Sequence, residues 1–584
     1  MLRICAPLTL LGISLSALAQ TGPADTILVN GRIITGDGRD SIAEALAIKG
    51  GKVLVTGTRA TIEKFSGPAT KTIDLKGRTA TPGLIDTHIH FQEVVDDIYA
   101  VNLSEAKSIG ACLTKIKEGV SKAKPGEWVR GRGWDEGKFD EHRYLLASDI
   151  DKVAPNNPVW MMQTTSHYGV ANTAALKLAH IDATTKNPAA GTIEHDADGK
   201  PTGVLKEVTA TRMVTRLIPP YRHDQLRAGL LKAIADVNKE GMTAVKVPGM
   251  DQTDWNLYQE LLKEGRVSVH LFALWSGGNT LESAKAAVDR IMTMPHIPAA
   301  PIDDRVILGG VKLFMDGSGG ARTAWMYDDW SLKYKGTDVG NTGFPTTPPL
   351  IYRDQVRMIH NAGIHVSTHA VGDRAIEWVV DTYAMMFKEK PTKGLRHGII
   401  HFNVPSDHAI ATVAAMQKDF DAGYPELQAP FMWWIGDNYA GNYAGNYGEK
   451  RDLRVVPLKT LVAKGVQFAG GSDFSVTPYP ARYGLWASVA RKTQNSRYGA
   501  TPFGTAESID IHDALKSYTR WAAHQLFLDD KIGSLEAGKD ADIAVWDRDF
   551  YKVPTDEIKD AKCELTLFRG DVVWNDERSP VRGH

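Results

Sequence analysis

The middle of the chain alternates short apolar runs with longer segments of helical hydrophobic periodicity. Such alternation is typical of βα units that build a parallel sheet. Eight runs have strand character, and the gaps between the last seven fit one helix with its loops. The runs are 84–90, 243–247, 269–274, 310–315, 365–369, 398–401, 426–429 and 466–470. Eight such units predict a closed (β/α)₈ barrel, a TIM-type α/β fold.

Both ends of the chain are rich in short strand patterns instead. Residues 26–35 form two apolar runs around an Asn-Gly pair, which predicts a β-hairpin, and residues 45–56 repeat the pattern around two glycines. Residues 542–546 and 565–574 have the same strand character near the other end. Because strands need partners, we expect the two ends to form one small β-sandwich domain together.

These patterns divide the chain into a barrel and its additions. We expect the barrel over 83–534, between sandwich segments at 20–82 and 535–584. About 150 residues, 91–241, separate the first two barrel strands, far more than an ordinary connection. We interpret them as an inserted subdomain that covers the barrel mouth. A second long connection, 431–456, is rich in aromatic residues and is expected to border the pocket.

The N-terminus has the features of a secretory signal. Arg3 supplies a positive start, residues 8–18 are mainly apolar or small, and an Ala-Leu-Ala sequence ends at Ala19. This order fits a signal peptide with a small-x-small cleavage site. We therefore expect residues 1–19 to be removed and the protein to be exported across the inner membrane, to the periplasm. A ragged N-terminal helix is the alternative.

Composition limits the classes of partner. The 584 residues are 43% hydrophobic and 23% charged, with a formal net charge of -1. This balance gives no electrostatic case for nucleic acid or an anionic membrane surface. No later segment has the ~18 uncharged apolar residues that a membrane span needs. Cys112 and Cys563 are the cysteines left after signal removal, and we expect two free thiols. The oligomeric state stays open, and a homo-oligomer is compatible with the sequence.

Metal-binding residue types lie at the ends of the predicted barrel strands. They are His88, His90, Lys312, His369, His401 and Asp473. Residues two apart on a strand share a face, so His88 and His90 are expected to point together. Catalytic groups of such barrels lie at the C-terminal ends of the strands. Neutral imidazoles with a carboxylate suit zinc, which predicts a metallohydrolase. Structural roles are the alternative for single histidines, and helix capping is the alternative for Asp473.

Five segments form an ordered set of motifs. They are Pro-Gly-Leu-Ile-Asp-x-His-x-His at 82–90, Val-Lys-x-x-x-Asp-Gly-Ser at 311–318, His-Ala-Val-Gly-Asp-Arg at 369–374, Gly-Ser-Asp at 471–473, and the run 533–542. Together they resemble the amidohydrolase superfamily, and within it the amidohydrolase 3 subgroup, which includes N-substituted formamide deformylases. The resemblance covers nearly the whole mature chain and implies a metal-bearing barrel with a β-sandwich from both termini. Ile400 departs from the acidic residue that relatives commonly carry there.

The resemblance also implies a ligand set for two divalent ions, taken as Zn²⁺. One ion is held by His88, His90 and Asp473, and the second by His369 and His401. Lys312 bridges them after its neutral amine reacts with CO₂ to form a carbamate, and burial beside cations lowers the pKa of a lysine enough to permit this. An unmodified Lys312 paired with Asp316 is the alternative, and the site is then mononuclear.

The implied activity is cleavage of a C–N bond in a small N-acyl or amide substrate. Metal-bound hydroxide attacks the carbonyl carbon, with Asp473 as general base and then general acid. A lactonase or other esterase, a cyclic-amide hydrolase and a deaminase are alternatives on the same scaffold. A secreted solute-binding or metal-binding protein is the alternative from another class. The sequence has no Gly-x-Ser-x-Gly elbow and no His-Glu-x-x-His helix.

Five further residues are candidate substrate contacts. They are His167, Asn172, Trp134, Arg322 and His397. His167 and Asn172 match a family segment, with helix capping and loop bonding as their alternatives. Trp134 could join Trp433 and Trp434 in an aromatic pocket, although tryptophans at such spacings also pack loops. Arg322 could face the mouth or the solvent. His397 could face inward with His401, as a hydrogen-bonding partner of a metal ligand or as a substrate contact.

Overall fold

The structure is a computed structural model. It describes residues 22–298, 303–330, 340–437, 455–494 and 504–582. The expected signal peptide, 1–19, lies outside the described residues, as does most of the second long connection, 431–456. Across the described ranges, no helix combines the length and apolar character needed to cross a bilayer.

Eight parallel strands form the central sheet. In chain order, β1 to β8 are Leu84–Asp86, Met242–Met250, His270–Ser276, Val306–Phe314, Val366–Ala370, Gly398–His401, Tyr424–Leu427 and Ala469–Gly470. Neighbours in the chain are neighbours in the sheet. The Thr87 amide donates to the Gly470 carbonyl at 3.1 Å, and Ile89 and Phe474 form a parallel bridge just beyond the two edge strands. The edges therefore meet, and the predicted TIM-type barrel is confirmed.

The first strand is shorter than the sequence pattern predicted. It ends at Asp86 because the Asp86 carboxylate accepts the His88 amide at 2.9 Å and the Ser472 amide at 3.1 Å. These amides are bonded to a side chain and do not continue the ladder. The expectation that His88 and His90 lie within a strand is therefore corrected, because both follow the strand end.

Helices pack around the barrel in the order that the alternation predicted. The longer ones are His223–Lys239, Gln252–Lys263, Leu281–Ile291, Pro349–Asn361, Asp373–Glu389, Asp407–Phe420 and Ala481–Ala490. Shorter helices are Leu458–Ala463, Ile511–Ser517 and Arg520–Gln525. Their starts follow ordinary capping chemistry, since the Ser406 side chain accepts the Ala409 amide at 3.1 Å. Their apolar faces are buried against the strands, as with Ile376 and Val380.

The residues between β1 and β2 form a six-stranded sheet of their own. Its strands are Val101–Asn102, Val129–Trp134, Val159–Gln163, Tyr168–Ala171, Thr192–His195 and Pro201–Lys206. Helices in this region are Val95–Tyr99, Ile109–Ser121, Ala147–Ile150, Thr173–Leu178 and Glu207–Thr215. Buried side chains such as Trp134 and Tyr168 give it a separate apolar cluster. Thr164 Oγ1 donates to the Val476 carbonyl at 3.1 Å, so this insertion contacts the loop after β8.

The ends of the chain form two sheets, the first from N-terminal strands and the second from strands of both ends. One contains Thr26–Val29, Ala45–Lys49, Lys52–Gly57 and Lys71–Asp74. The other contains Arg32–Ile34, Ile42–Ala43, Thr79–Pro82, Ile543–Trp546, Cys563–Phe568 and Asp571–Asn575. Leu46 and Ile73 of the first sheet lie in one apolar cluster with Val545 and Leu567 of the second. The two termini are therefore joined by pairing and by packing.

One terminal hairpin prediction is wrong and the other is confirmed. Thr26–Val29 pairs with Ala45–Lys49, whereas Arg32–Ile34 pairs with Thr79–Pro82 in the other sheet. The Asn-Gly turn carries the chain between sheets, and a Cβ on Gly31 would lie 2.3 Å from Leu75 Cδ1. The second glycine-rich turn does join a hairpin, with the two lysines beside it directly paired.

The two cysteines are unpaired, as predicted. Cys112 lies in a helix of the insertion and Cys563 in a C-terminal strand, and both are buried. Burial raises the pKa of each thiol to about 12. Neither side chain therefore offers a thiolate near neutral pH.

Candidate metal centre

Ligands from distant strand ends converge at the mouth of the barrel. Single ligand atoms of His88, His401 and Asp473 all lie within 4.8 Å of one another. Nε2 of His88 and Nε2 of His90 lie 3.1 and 3.2 Å from Asp473 Oδ1. The ring centroids of His369 and His401 are 4.5 Å apart. The fold therefore brings the four histidines and the aspartate to one place.

Lys312 approaches the same place from β4. Its side chain is buried, and it lies within electrostatic range of His88, His401 and Asp473. Burial lowers the pKa of Lys312 to about 7, although the nearby carboxylates of Asp473 and Glu426 act in the opposite direction. A substantial neutral fraction of this amine is therefore present near pH 7.

The donor set fits a divalent cation. His369 Nε2–H donates to the Gly317 carbonyl at 2.9 Å, which leaves Nδ1 with a free lone pair. His401 Nδ1–H donates to Gln428 Oε1 at 2.8 Å, which leaves Nε2 free. His88 Nδ1 is buried without a hydrogen-bond partner among the described residues. Imidazole lone pairs oriented by outer hydrogen bonds, together with a carboxylate, are the ligands that zinc prefers.

Electrostatics keep these ligands in their metal-binding forms. Burial lowers the pKa of His401 to about 4 and holds the pKa values of His88 and His369 well below the usual histidine value. Burial acts to raise the pKa of Asp473, but its interactions with His88 and His90 outweigh this and hold that pKa well below normal. His88, His369 and His401 are thus neutral and Asp473 is ionised at neutral pH. His90 differs: burial acts to lower its pKa, but Asp473 and Glu93 outweigh this and raise that pKa in the absence of a metal.

Asp316, the alternative partner of Lys312, is bonded elsewhere. Its carboxylate accepts the amides of Val371 at 3.0 Å, Gly372 at 2.9 Å and Trp325 at 2.9 Å. Burial raises the pKa of Asp316 to about 7 despite these hydrogen bonds. Asp316 therefore fastens the loop after β5 to the loop after β4, and an ion pair with Lys312 is not formed between these two described residues.

Sequence reasoning missed several residues that hold the ligands in place. The Asp86 carboxylate accepts a hydrogen bond from the main-chain amide of His88, and Gln428 Oε1 accepts one from the ring of His401. Both are polar residues at the end of an apolar strand run, which is the same signal that identified the ligands. Glu207 also ends a strand run, Pro201–Lys206, and its carboxylate contacts His167. That signal marks all three positions as polar strand ends, but it does not reveal their partners.

A small cavity lies beside the ligands. It encloses about 20 Å³, roughly the room for one water molecule. His369, His401 and Asp473 line it from the barrel, Thr165 and His167 from the insertion, and Phe431 from the loop after β7. A larger open groove of about 590 Å³ lies on the insertion, but it contains none of the ligands. The smaller cavity is therefore the candidate reaction site.

Among the five predicted substrate contacts, His167 lines this cavity. Asn172 does not: its Oδ1 accepts the amides of Ala175 and Val159, and its Nδ2 donates to two backbone carbonyls. Those bonds use the whole amide group, so Asn172 is a helix cap, which was the alternative interpretation. The prediction that it contacts substrate is corrected.

The other three candidates also lie away from the cavity wall. Trp134 is fully buried in the core of the insertion and donates Nε1–H to the Met161 carbonyl at 2.9 Å. His397 precedes β6, at the amino end of that strand, and its Nε2 is 3.1 Å from His360 Nδ1. Arg322 lies within electrostatic range of Glu194 and Lys206 of the insertion. The interpretation of Trp134 and His397 as substrate contacts is corrected because each is bonded within a core away from the ligands, whereas that of Arg322 stays a prediction.

The tryptophan pair after β7 packs the loop and does not form a pocket with Trp134. Trp433 lies against Tyr483, with ring centroids 4.8 Å apart. Lys138 Nζ lies 3.7 Å above the ring of Trp434. Phe431, at the start of the same short helix, is the aromatic residue that reaches the cavity.

The barrel and its convergent ligands define a metal-dependent hydrolase. The sequence profile described as the amidohydrolase family matches residues 71–574, and the chain belongs to that family. The resemblance inferred from the motifs is thereby confirmed, and so is the assignment of the protein as an enzyme of this hydrolase family.

Several known proteins are similar over nearly their whole length. The N-substituted formamide deformylase of Arthrobacter pascens is 26% identical over 94% of this chain and 98% of its own. The protein LONG AFTER FAR-RED 3 of Arabidopsis thaliana is 28% identical over 89% of this chain and 87% of its own. An uncharacterized metal-dependent hydrolase from Pyrococcus horikoshii OT3 has 23% identity and a TM-score of 0.68, covering 91% and 99% of the two chains. The last comparison supports the fold alone.

Proposed function

We propose that the protein hydrolyses the C–N bond of a small N-acyl or amide substrate. One observation carries this proposal: the Asp473 carboxylate contacts two imidazoles at a buried, water-sized cavity where further ligands converge. A carboxylate so placed can accept a proton from water and return it to a leaving group. The similarity to a formamide deformylase over most of both chains supports an amide as the substrate.

The ligand set supports a two-metal centre. His88, His90 and Asp473 would hold one ion, and His369 and His401 the other. When bound, two Zn²⁺ ions would supply Lewis acidity toward a carbonyl and a water of lowered pKa. Lys312 would bridge them as a carbamate: its neutral nitrogen bonds to the carbon of CO₂ and the nitrogen releases a proton. The pKa of about 7 that burial gives Lys312 supports this reaction.

The protein groups supply the proton transfers and exclude bulk water. Asp473 accepts the proton of the attacking water and delivers it to the nitrogen of the breaking C–N bond. The delivery is needed because an amide anion is a very poor leaving group. Phe431 and Val476 give the cavity apolar walls, which strengthens electrostatic interactions inside it.

The test is a substrate panel with metal-loaded protein. It compares N-formyl, N-acetyl and anilide compounds with lactones, esters, cyclic amides and aminopurines. We expect turnover of one of the open-chain amides, and Asp473→Asn should lower kcat by ~10²–10⁴-fold. Asp381→Asn, an exposed aspartate on a barrel helix, is the matched control and should keep wild-type turnover.

Two results would contradict the proposal. Turnover confined to lactones, esters, cyclic amides or aminopurines would exclude the amide assignment while retaining the hydrolase. Near wild-type kcat in Asp473→Asn with a full metal complement would show that another group moves the proton. Circular dichroism and metal analysis of each variant distinguish these results from loss of fold or of metal.

A further inference from the structure

A histidine–carboxylate pair of the insertion stands beside the metal centre. His167 lines the cavity, and its ring centroid is 5.2 Å from that of His369. His167 Nδ1–H donates to Glu207 Oε2 at 3.0 Å. The Glu207 amide also donates to the His167 carbonyl at 2.7 Å. The pair is therefore fixed through both main chain and side chain.

Glu207 is buried and has a strained backbone conformation, both of which are energetically unfavourable for a glutamate. It is 3% exposed, and its φ of +66° lies in the left-handed region that non-glycine residues seldom adopt. Thr323 Oγ1, from the loop after β4, donates to its other oxygen, Oε1. Both carboxylate oxygens are thus bonded to different parts of the fold. Backbone strain and a buried carboxylate of this kind persist only where surrounding contacts stabilise them, and such positions cluster at functional sites.

The loop after β4 is shaped to admit this carboxylate. A Cβ on Gly317 would lie 2.4 Å from Glu207 Oε1 and 2.2 Å from Thr323 Oγ1. The Gly317 carbonyl accepts the hydrogen bond from His369 Nε2. The insertion carboxylate therefore reaches the same glycine that orients a predicted metal ligand. The contact between Glu207 and the loop after β4 is therefore part of the metal centre's surroundings.

The pairing determines how His167 faces the cavity. An ionised carboxylate can only accept hydrogen bonds, so Nδ1 of His167 carries the proton between them. Nε2 lies on the other side of the ring and has no hydrogen bond within the part of the chain that the structure describes. A carboxylate that fixes one ring nitrogen while the other meets the substrate is a recurrent way to orient an active-site histidine.

We propose that His167 contacts the scissile amide group through Nε2 and that Glu207 is its positioning residue. The identity of that reacting group rests on the proposed function. The insertion thereby contributes a substrate contact to the barrel site, beside His369. Without Glu207 the ring can rotate away, and the contact is lost although the ligands remain.

A double-mutant cycle tests this arrangement. kcat and KM are measured for the best substrate with the wild type, His167→Ala, Glu207→Gln and the double variant. His167→Ala should lower kcat/KM about 100-fold. Glu207→Gln should lower it about tenfold, mainly through kcat. In the His167→Ala background, Glu207→Gln should change it less than about twofold, because its effect passes through the ring.

Controls separate positioning from folding. Glu194→Gln removes another insertion carboxylate, paired with Lys206 at 2.5 Å and outside the cavity wall, and should keep wild-type kinetics. If Glu207→Gln does not fold, Glu207→Asp replaces it, since a shorter carboxylate keeps the charge but retreats from Nδ1. That variant should lose kcat while its metal content stays at the wild-type level.

The outcomes are distinct. Wild-type kinetics in His167→Ala, or effects of the two substitutions that multiply in the double variant, would overturn the proposal. A wild type that hydrolyses no amide would refute the proposed function, so the cycle is also run on the Kd of acetohydroxamate for the metal-loaded protein. Non-additive losses of binding there support the pair, and additive losses or none overturn it.

Discussion

At the scale of single residues, the buried ion pair of Lys246 and Glu426 shows how the barrel interior accommodates charge. Lys246 Nζ on β2 donates to Glu426 Oε1 at 2.7 Å and to Ser367 Oγ at 2.8 Å, and all three side chains are buried. Lys246 acts to lower the pKa of Lys312, and Glu426 acts to raise it. The pair therefore shapes the electrostatics of the site as well as the core.

Removing one member of this pair should strongly lower the free energy of unfolding. Lys246→Met leaves the Glu426 carboxylate buried without its cation, and the free energy of unfolding should fall by about 3–5 kcal/mol. Adding Glu426→Gln should recover most of the loss, because the unpaired charge is then removed. Denaturant unfolding of the three proteins gives the comparison. Equal midpoints for the wild type and Lys246→Met would contradict this account.

Residue roles were predictable to different degrees for a physical reason. His88, His401 and Asp473 could be read from the sequence because strand ends in a barrel share one face. The roles of Asn172 and His397 could not, since capping and packing depend on partners that the pattern does not reveal. Glu207 was missed because its partners, His167 and Thr323, lie far from it in sequence.

At the scale of elements, one side chain joins the first and last barrel strands. Asp86 at the end of β1 accepts the amide of Ser472 just after β8, and also the amide of His88. Burial raises the pKa of Asp86 from 3.8 to about 7, although these hydrogen bonds oppose the shift. The folded state therefore binds this proton more tightly than the unfolded chain does.

The pH dependence of stability follows from that shift. A folded pKa above the unfolded value gives stability that is complete below about pH 4 and lost as the pH rises through about 7. In metal-free protein, the Tm of Asp86→Asn relative to wild type should therefore rise between pH 5 and pH 8. Thermal unfolding across this range measures it, with Asp354→Asn, an exposed aspartate paired with an arginine, as the control. A constant difference in Tm would contradict the assignment.

Hydrophobic periodicity located the strands but was not sufficient to predict their ends or their pairing. All eight barrel strands were placed correctly, because fully buried parallel strands read as continuous apolar runs. Their extents were predicted less well: β4 begins at Val306 and β8 covers only Ala469–Gly470. β1 ends early, since a side chain captures the amides that would extend it. The pairing of 26–29 was also missed, because apolar alternation identifies a strand without identifying its neighbour.

At the scale of the whole molecule, the site depends on contacts between distant parts of the chain. Its predicted ligands run from His88 to Asp473, and the cavity wall adds residues of the insertion. The sequence predicted the barrel and this convergence. It did not predict the shape of the cavity, which the packing of insertion loops against strand ends determines.

The most direct measurement is anomalous diffraction from crystals of the metal-loaded protein, recorded on both sides of the zinc absorption edge. We expect anomalous peaks at roughly 2.0–2.3 Å from ligand atoms of His88, His90, His369, His401 and Asp473. Density for a carbamate on Lys312 should lie between two such peaks. An active, metal-dependent crystal form with no peak at these side chains would contradict the assignment of the metal centre.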